Sequence, residues 1–359
     1  MILAPVIESG NKAIKLILGP CSAESPRQLE DTIVSLGELQ PDLIRAGVWK
    51  PRTRPGHFQG MGEPALEWMT LLKQKYGIKF CTEVANSAHV EACLKHGVDV
   101  LWIGARTTVN PFYVQEIADA LKGTKIPVMV KNPINPDIFL WMGALERLEK
   151  VGIKRLAAIH RGFSFYGNSI FRNVPRWQIA LELKRQLPEL QMLVDVSHIS
   201  GSSRHLLEIA QIALDLNYSG IMAEIHPHPS EALSDADQQV TADFFKQNVW
   251  DRLIQRRPDI TARGDLDAII SLRAKIDNID QSLMKLVAER MKIAEQIGII
   301  KKESAISILQ ANRWEEILTS LLATGKELGL SDEFVSSLIE AIHIESIQHQ
   351  SKKMNQSED

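Results

Sequence analysis

The sequence predicts an α/β chain in two parts. A (β/α)8 TIM barrel occupies residues 1–258, a linker 259–266, and an all-helical three-helix domain that dimerises 267–359. Three observations predict this. Eight apolar, strand-like runs alternate with helical patterns, the pattern of a (β/α)8 barrel. A titratable or thiol side chain stands at the end of every run. From Asp267 the strand runs cease, and apolar residues recur in alternating steps of four and three.

Composition bounds the partners. The chain has 359 residues, 45% hydrophobic and 24% charged, as in ordinary globular enzymes. A net charge of −3 argues against a nucleic-acid partner, so any basic patch is local. The sparse, odd set Cys21, Cys81 and Cys93 points to a reducing compartment. Residues 1–10 lack a basic segment followed by an apolar core, and no apolar run reaches the roughly 20 residues that span a bilayer. A cytoplasmic protein without membrane attachment is expected.

The strand runs are 15–18, 43–46, 78–84, 98–103, 127–130, 156–159, 192–196 and 221–225. Helical patterns between them include 63–76, 111–121, 137–151, 175–187 and 202–216. The last is amphipathic through Leu206, Leu207, Ile209, Ala210 and Ala213. A doubly wound open sheet is the alternative, but no glycine-rich dinucleotide fingerprint supports it.

In a barrel, all strand ends open on the face where active sites lie. The residues there are Cys21, Lys50 with Arg52, Glu83, Arg106, Lys131, Arg161, His198 and Glu224. One polar strand end is usually a turn residue; a succession of them marks a site. Lys50, Arg52, Arg106, Lys131 and Arg161 would repel one another around one mouth unless anions joined them, so two phosphorylated substrates are expected. Pro51 and Pro55 stiffen the loop that carries Lys50, Arg52 and Arg54. Cys21, His198, Glu224 and Asp235 offer a thiolate, an imidazole and two carboxylates. That set suits Mn, Fe, Co or Zn, not Mg or Ca. Taken singly, Cys21 reads as a small buried hydrophobe and Asp235 as a helix N-cap. His226 and His228 rival His198, which is preferred because it ends a strand run.

These residues resemble a known family. Gly19-Pro20-Cys21-Ser22 with Glu24, Lys50-Pro51-Arg52-Thr53, Gly104-Ala105-Arg106-Thr107-Thr108, Lys131-Asn132, Arg161-Gly162, Ser197-His198, and Glu224 with Ser234-Asp235 are similar to 3-deoxy-D-arabino-heptulosonate 7-phosphate (DAHP) synthases. The match is to the short-barrel branch of their first class, over residues 1–258. It implies condensation of phosphoenolpyruvate with erythrose 4-phosphate, the first step of the shikimate pathway. It implies one divalent metal ion per barrel, held by Cys21, His198, Glu224 and Asp235, with Mn2+ ahead of Fe2+, Co2+ or Zn2+. Arg106, Lys131 and Arg161 would hold phosphoenolpyruvate. Lys50, Arg52 and Thr53 would hold erythrose 4-phosphate, with Glu83 beside the reacting carbon and Lys50 as proton donor. Relatives of the rival 3-deoxy-manno-octulosonate 8-phosphate synthase favour Lys-Ala-Asn where this chain has Lys50-Pro51-Arg52.

Past Arg256-Arg257-Pro258-Asp259, the seam runs Leu272, Ile276, Ile279, Leu283, Leu286, Arg290, Ile293, Ile297 and Ile300. A helix over 267–302 would be about 54 Å long, too long to bury its seam within its own small domain, so a homodimer is expected. Helices over 310–325 and 331–350 follow, with Ser331 as an N-cap and Gly325 or Gly329 as stop signals. Arg290 within the seam calls for an anion, because a buried unpaired charge is costly. Arg273 and Lys301 share a flank.

This part resembles the all-helical class of chorismate mutase, through Leu272-Arg273, Ala288-Glu289-Arg290, Lys301, Arg313, Ser346 and Gln350. The resemblance implies rearrangement of chorismate to prephenate. The arginines would pair with the substrate carboxylates, Lys301 and Gln350 would face the ether oxygen, and Arg273 would enter from the partner chain. Gln310 and Trp314 stand where many members carry carboxylates that contact the substrate hydroxyl. The alternative is a synthase whose helical tail is weak or dead in catalysis and serves dimerisation and regulation. Feedback inhibition of the synthase by prephenate through the tail is also expected.

Overall fold

The computed structural model describes residues 3–8, 13–50, 56–167, 169–256 and 263–355, the side chains of 263–265, 311 and 312 excepted. The chain forms two compact units, Met1–Pro258 and Asp259–Asp359.

In the first unit the eight runs become parallel strands: β1 Lys15–Gly19, β2 Leu43–Arg45, β3 Phe80–Val84, β4 Val100–Ile103, β5 Val128–Lys131, β6 Leu156–His160, β7 Gln191–Asp195 and β8 Gly220–Glu224. They pair in chain order, and β8 returns to β1 with Lys15 opposite Gly220 and Gly19 opposite Glu224, closing the barrel. The strands read as continuous apolar runs because both of their faces are covered. Inside, Ile17, Trp102, Met129, Ile159, Leu193 and Met222 fill the lumen, and Val6 and Ile7 join the same cluster. A larger apolar layer lies between the strands and the helices.

Those helices are α1 Pro26–Ser35, α2 Glu63–Tyr76, α3 Ser87–Lys95, α4 Ala105–Thr108, α5 Pro111–Leu121, α6 Ile138–Lys150, α7 Trp177–Gln186, α8 Val196–Ser200, α9 Leu206–Asp215 and α10 Ala242–Asn248. Ser25, Asn86, Asn110, Asp137 and Thr241 cap five of them by accepting first-turn N–H groups. The helix expected over 202–216 begins only at Leu206. Asp195 caps α8 directly off β7, and Gly201 ends that helix at φ 70°. His198 therefore sits on a short helix at the mouth.

The second unit holds α11 Arg263–Glu303, α12 Ala311–Glu327 and α13 Asp332–Asn355. Ser331 caps α13 through the Phe334 N–H. Met291 and Ala294 of α11 are buried, and a Cβ on Gly298 would stand 3.0 Å from the Gln350 backbone, so this stripe packs on α13. The seam legible in the sequence is a different stripe of α11, and it is exposed: Leu272 57%, Ile279 64% and Leu286 65%. Residues 270–286 are exposed without exception.

Candidate active sites

Strand β2 carries Arg45 into the barrel, where it is fully buried. Its Nη2 donates to Glu224 Oε1 at 2.8 Å, its Nη1 lies 3.7 Å from Asp195 Oδ2, and its guanidinium stands 5.4 Å from the Trp102 ring centre. Without water, a guanidinium needs carboxylates close by. Asp195 is the hub: Oδ2 accepts from Lys131 Nζ at 2.8 Å and lies 2.9 Å from His198 Nδ1, while Oδ1 accepts from the His198 N–H. Burial works to raise the Asp195 and Glu224 carboxyls. The surrounding charges win: His198, Lys131 and Arg45 hold Asp195 well below its ordinary value, and Arg45, His198 and Lys50 lower Glu224.

Cys21 follows β1 and is buried. Its N–H donates to Gln239 Oε1, and its Sγ donates to Asp235 Oδ2 at 3.3 Å. Lys50 Nζ donates to the Cys21 carbonyl and lies 3.0 Å from Sγ. Gly47 permits this approach, since a Cβ there would stand 2.8 Å from Nζ. Burial, reinforced by Glu224, pushes the thiol up to about 12. Burial alone would lower Lys50, but Cys21 and Glu224 raise it. Asp235 adopts φ 47° ahead of a 3-10 turn, yet its side chain caps nothing; it turns to Cys21 and to Arg172 at 3.1 Å. Burial would raise this carboxyl too, and His198, Arg172 and Lys50 bring it down instead.

His198 Nδ1 lies 3.8 Å from Glu224 Oε1. The four metal-ligand candidates thus meet as two pairs, Cys21 with Asp235 and His198 with Glu224, coupled by their charges. Among the described residues, no three His, Cys, Asp or Glu side chains converge as a formed cage. The donor chemistry and the pairing nevertheless fit a borderline divalent cation. His226, the rival, faces Glu24 at 3.5 Å and accepts from the His228 N–H.

The cations lie alongside. Lys131 stands 5.5 Å from the Trp102 ring centre. Arg161 Nη1 donates to Asn173 Oδ1 at 2.6 Å. Burial lowers its pKa to about 10, with Asp195 opposing and Arg172 and Arg106 adding to the fall. Three guanidiniums therefore share one field, the electrostatic form of an anion site. Glu83 Oε2 accepts from Trp102 Nε1 at 2.9 Å, and any Cβ on Gly104 would collide with its carboxylate. Lys50 and Glu83 line a cleft of about 230 Å³ with Trp49, Gln59, Ala85 and His89. Arg52 and Thr53 lie outside the described residues.

In the helical unit, Arg290 Nη1 donates to Ser346 Oγ, which is buried and donates to Ile342 O. Gln350 carries a buried Oε1 without a partner. Lys301 Nζ donates to Ile308 O at 2.6 Å, and Arg313 pairs with Glu316 at 3.0 Å. Burial, then Arg290 and Lys301, lower the pKa of His343, so these three share a field. Arg273 precedes Arg290 by 17 residues on α11, about 25 Å along the axis, and stands apart from this group.

Sequence reasoning passed over Arg45, Asp195 and His343. The first two left a signal, a charge inside an apolar run, in Leu43-Ile44-Arg45-Ala46 and Val194-Asp195-Val196.

A closed parallel barrel with buried cations beside a thiol, an imidazole and carboxylates defines an enzyme that handles phosphorylated anions. The helical unit that follows in sequence sets Arg290 and Lys301 in one field with His343. Residues 3–254 match the model of the DAHP synthetase I family, and the chain belongs to that family. Residues 272–351 match chorismate mutase type II. The chain is 30% identical over 243 residues to the phospho-2-dehydro-3-deoxyheptonate aldolase of Thermotoga maritima, covering 68% of this chain and 70% of the relative. A crystal structure of DAHP synthase from that organism aligns with TM-score 0.60 at 30% identity, over 67% of this chain and 69% of that one. A 2-dehydro-3-deoxyphosphooctonate aldolase of Polaromonas naphthalenivorans is more distant, 25% identical over 251 residues, 64% of this chain and 86% of the relative. The two domains carry two activities, DAHP synthase and chorismate mutase. The synthase family is generally metal-dependent. No helix among the described residues is long and apolar enough to cross a membrane.

Proposed function

We propose that Cys21, His198, Glu224 and Asp235 hold one divalent cation, Mn2+ ahead of Fe2+, Co2+ or Zn2+. Arg106, Lys131 and Arg161 would bind phosphoenolpyruvate, and Lys50, Arg52 and Thr53 erythrose 4-phosphate. The observation that carries this is Asp235, held at φ 47° with its carboxylate on the Cys21 sulfur and capping nothing. When bound, the cation would supply Lewis-acid polarisation of the aldehyde oxygen. The chain's own residues do the rest. The guanidiniums fix the enol against the aldehyde and offset charge on the departing phosphate. Glu83 stands beside the reacting carbon. The enol carbon bonds to the aldehyde carbon, Lys50 delivers a proton to the alkoxide oxygen, water adds to the former enol-ether carbon, and phosphate leaves. Phosphate release that requires both substrates and falls on chelation tests this; full rates in thoroughly chelated protein contradict it. Three free cysteines suit the reducing cytoplasm.

In the helical unit, Arg290, Lys301, Arg313, Ser346 and Gln350 would bind chorismate, with Arg273 supplied by a second copy in a homodimer. The arginines take the carboxylates, and Lys301 and Gln350 meet charge on the breaking ether oxygen. Prephenate would inhibit the synthase through this unit, because a ligand regulates only by favouring one arrangement over another. Synthase rates with prephenate in the full chain, in Arg290→Ala and in a truncation near Pro258 test that: inhibition surviving truncation places the effector site in the barrel.

A further inference from the structure

On α13, His343, Ser346 and Gln350 fall on one helical face, three and seven residues apart. Ser346 is held by Arg290, and Gln350 carries its unpartnered buried oxygen, so this row faces the same space as the α11 cations. Trp314 of α12 lies against His343, ring centres 4.2 Å apart and planes 31° from parallel. The indole covers one face of the imidazole and leaves its edge to hydrogen-bond. Burial and the cations Arg290 and Lys301 lower the pKa of that ring and so favour its neutral form. A neutral imidazole carries one N–H donor and one lone-pair acceptor, which matches a hydroxyl, itself both donor and acceptor. The arginines take the substrate carboxylates and Lys301 the ether oxygen; the hydroxyl needs a group of this kind.

We propose that His343, clamped by Trp314, is the specificity residue that recognises the ring hydroxyl of chorismate. This rests on placing the mutase site at Arg290, Lys301, Ser346 and Gln350. The test uses the full chain with chorismate and an analogue lacking the ring hydroxyl. The unaltered chain should favour chorismate by about tenfold or more in kcat/KM, since a site built around a hydroxyl rejects the analogue without it. In His343→Leu that preference should vanish: chorismate turnover falls to the level of the analogue, and the analogue is converted as before. His343→Asn, which keeps a donor and an acceptor, should retain part of the preference, and it carries the test if the leucine variant does not fold. A purely structural histidine would slow both substrates alike and leave their ratio unchanged; that result overturns the proposal. Arg290→Ala separates the two levels. If it abolishes turnover while His343→Leu still discriminates, only the role of His343 is wrong. If Arg290→Ala converts chorismate normally, the site itself lies elsewhere.

Discussion

The Arg45 guanidinium and the Glu224 carboxylate meet at 2.8 Å inside the barrel, both sealed from solvent. Removing the cation leaves Glu224 and Asp195 short of a partner in a dry interior. Arg45→Leu should destabilise the barrel by about 3–5 kcal/mol, the usual cost of breaking a buried pair from one side. Urea denaturation of the barrel measures it. A loss below about 1 kcal/mol would mean that water or Lys131 takes over the charge.

Much of this was legible in the sequence. The barrel was readable because each strand is a short apolar run, and the mouth because Cys21, Lys131 and Glu224 stand at run ends. Arg45 and Asp195 were not, since one charge in a strand does not reveal which way it points. Their pairing spans 150 residues of chain, and only barrel closure brings the strands together. In α11 the seam was legible as a periodicity, but the packing stripe beside it was not. Small Ala294 and Gly298 carry little hydrophobic signal; they matter because α13 approaches closely there.

Cys21 and His198 contribute one donor each to the proposed metal set. Cys21→Ala and His198→Ala should abolish DAHP formation while chorismate conversion continues. Phosphate release and chorismate loss, followed on the same protein, measure both. Metal content after dialysis separates lost binding from misplaced substrate: variants that retain a full metal ion would remove these two residues from the ligand set.

His160 lies below the mouth, fully buried, bonded to the Tyr218 hydroxyl and the Pro175 carbonyl. Burial, aided by Arg161 and opposed by the Pro175 carbonyl, lowers its pKa from 6.5 to about 4. The folded value is depressed, so the unfolded chain binds this proton first. The stability is complete above pH 6.5 and is lost as the pH falls toward 4. The full difference is worth about 3 kcal/mol. Thermal melts between pH 7.5 and 4 should show this loss, and His160→Gln should flatten the slope across that window. An equal slope in the variant would assign the loss to the buried carboxylates instead.

One apolar stripe of α11 stands open. Leu272, Ile276, Ile279, Leu283, Leu286, Ile293, Ile297 and Ile300 are each 43–65% exposed. A contiguous apolar stripe of this length is rarely left to solvent, and burying each side chain fully is worth about 1.5–3 kcal/mol. Heptad spacing fits a second helix of the same kind. Ile279→Glu with Leu286→Glu should therefore turn a dimer into a monomer in light scattering. The mutase should fail with it, because Arg273 lies about 25 Å along the helix from Arg290 and cannot complete its own chain's site. Complementation is the sharper measurement. Arg273→Ala and Arg290→Ala chains should each be inactive alone. In a two-fold dimer each site draws one arginine from each copy, so a mixed dimer has one intact site and one doubly damaged site. After subunit exchange, about a quarter of the original mutase rate should return. No recovery in a mixture shown to have exchanged would place both arginines in the same chain's site, and a double glutamate variant that stays dimeric would move the interface elsewhere.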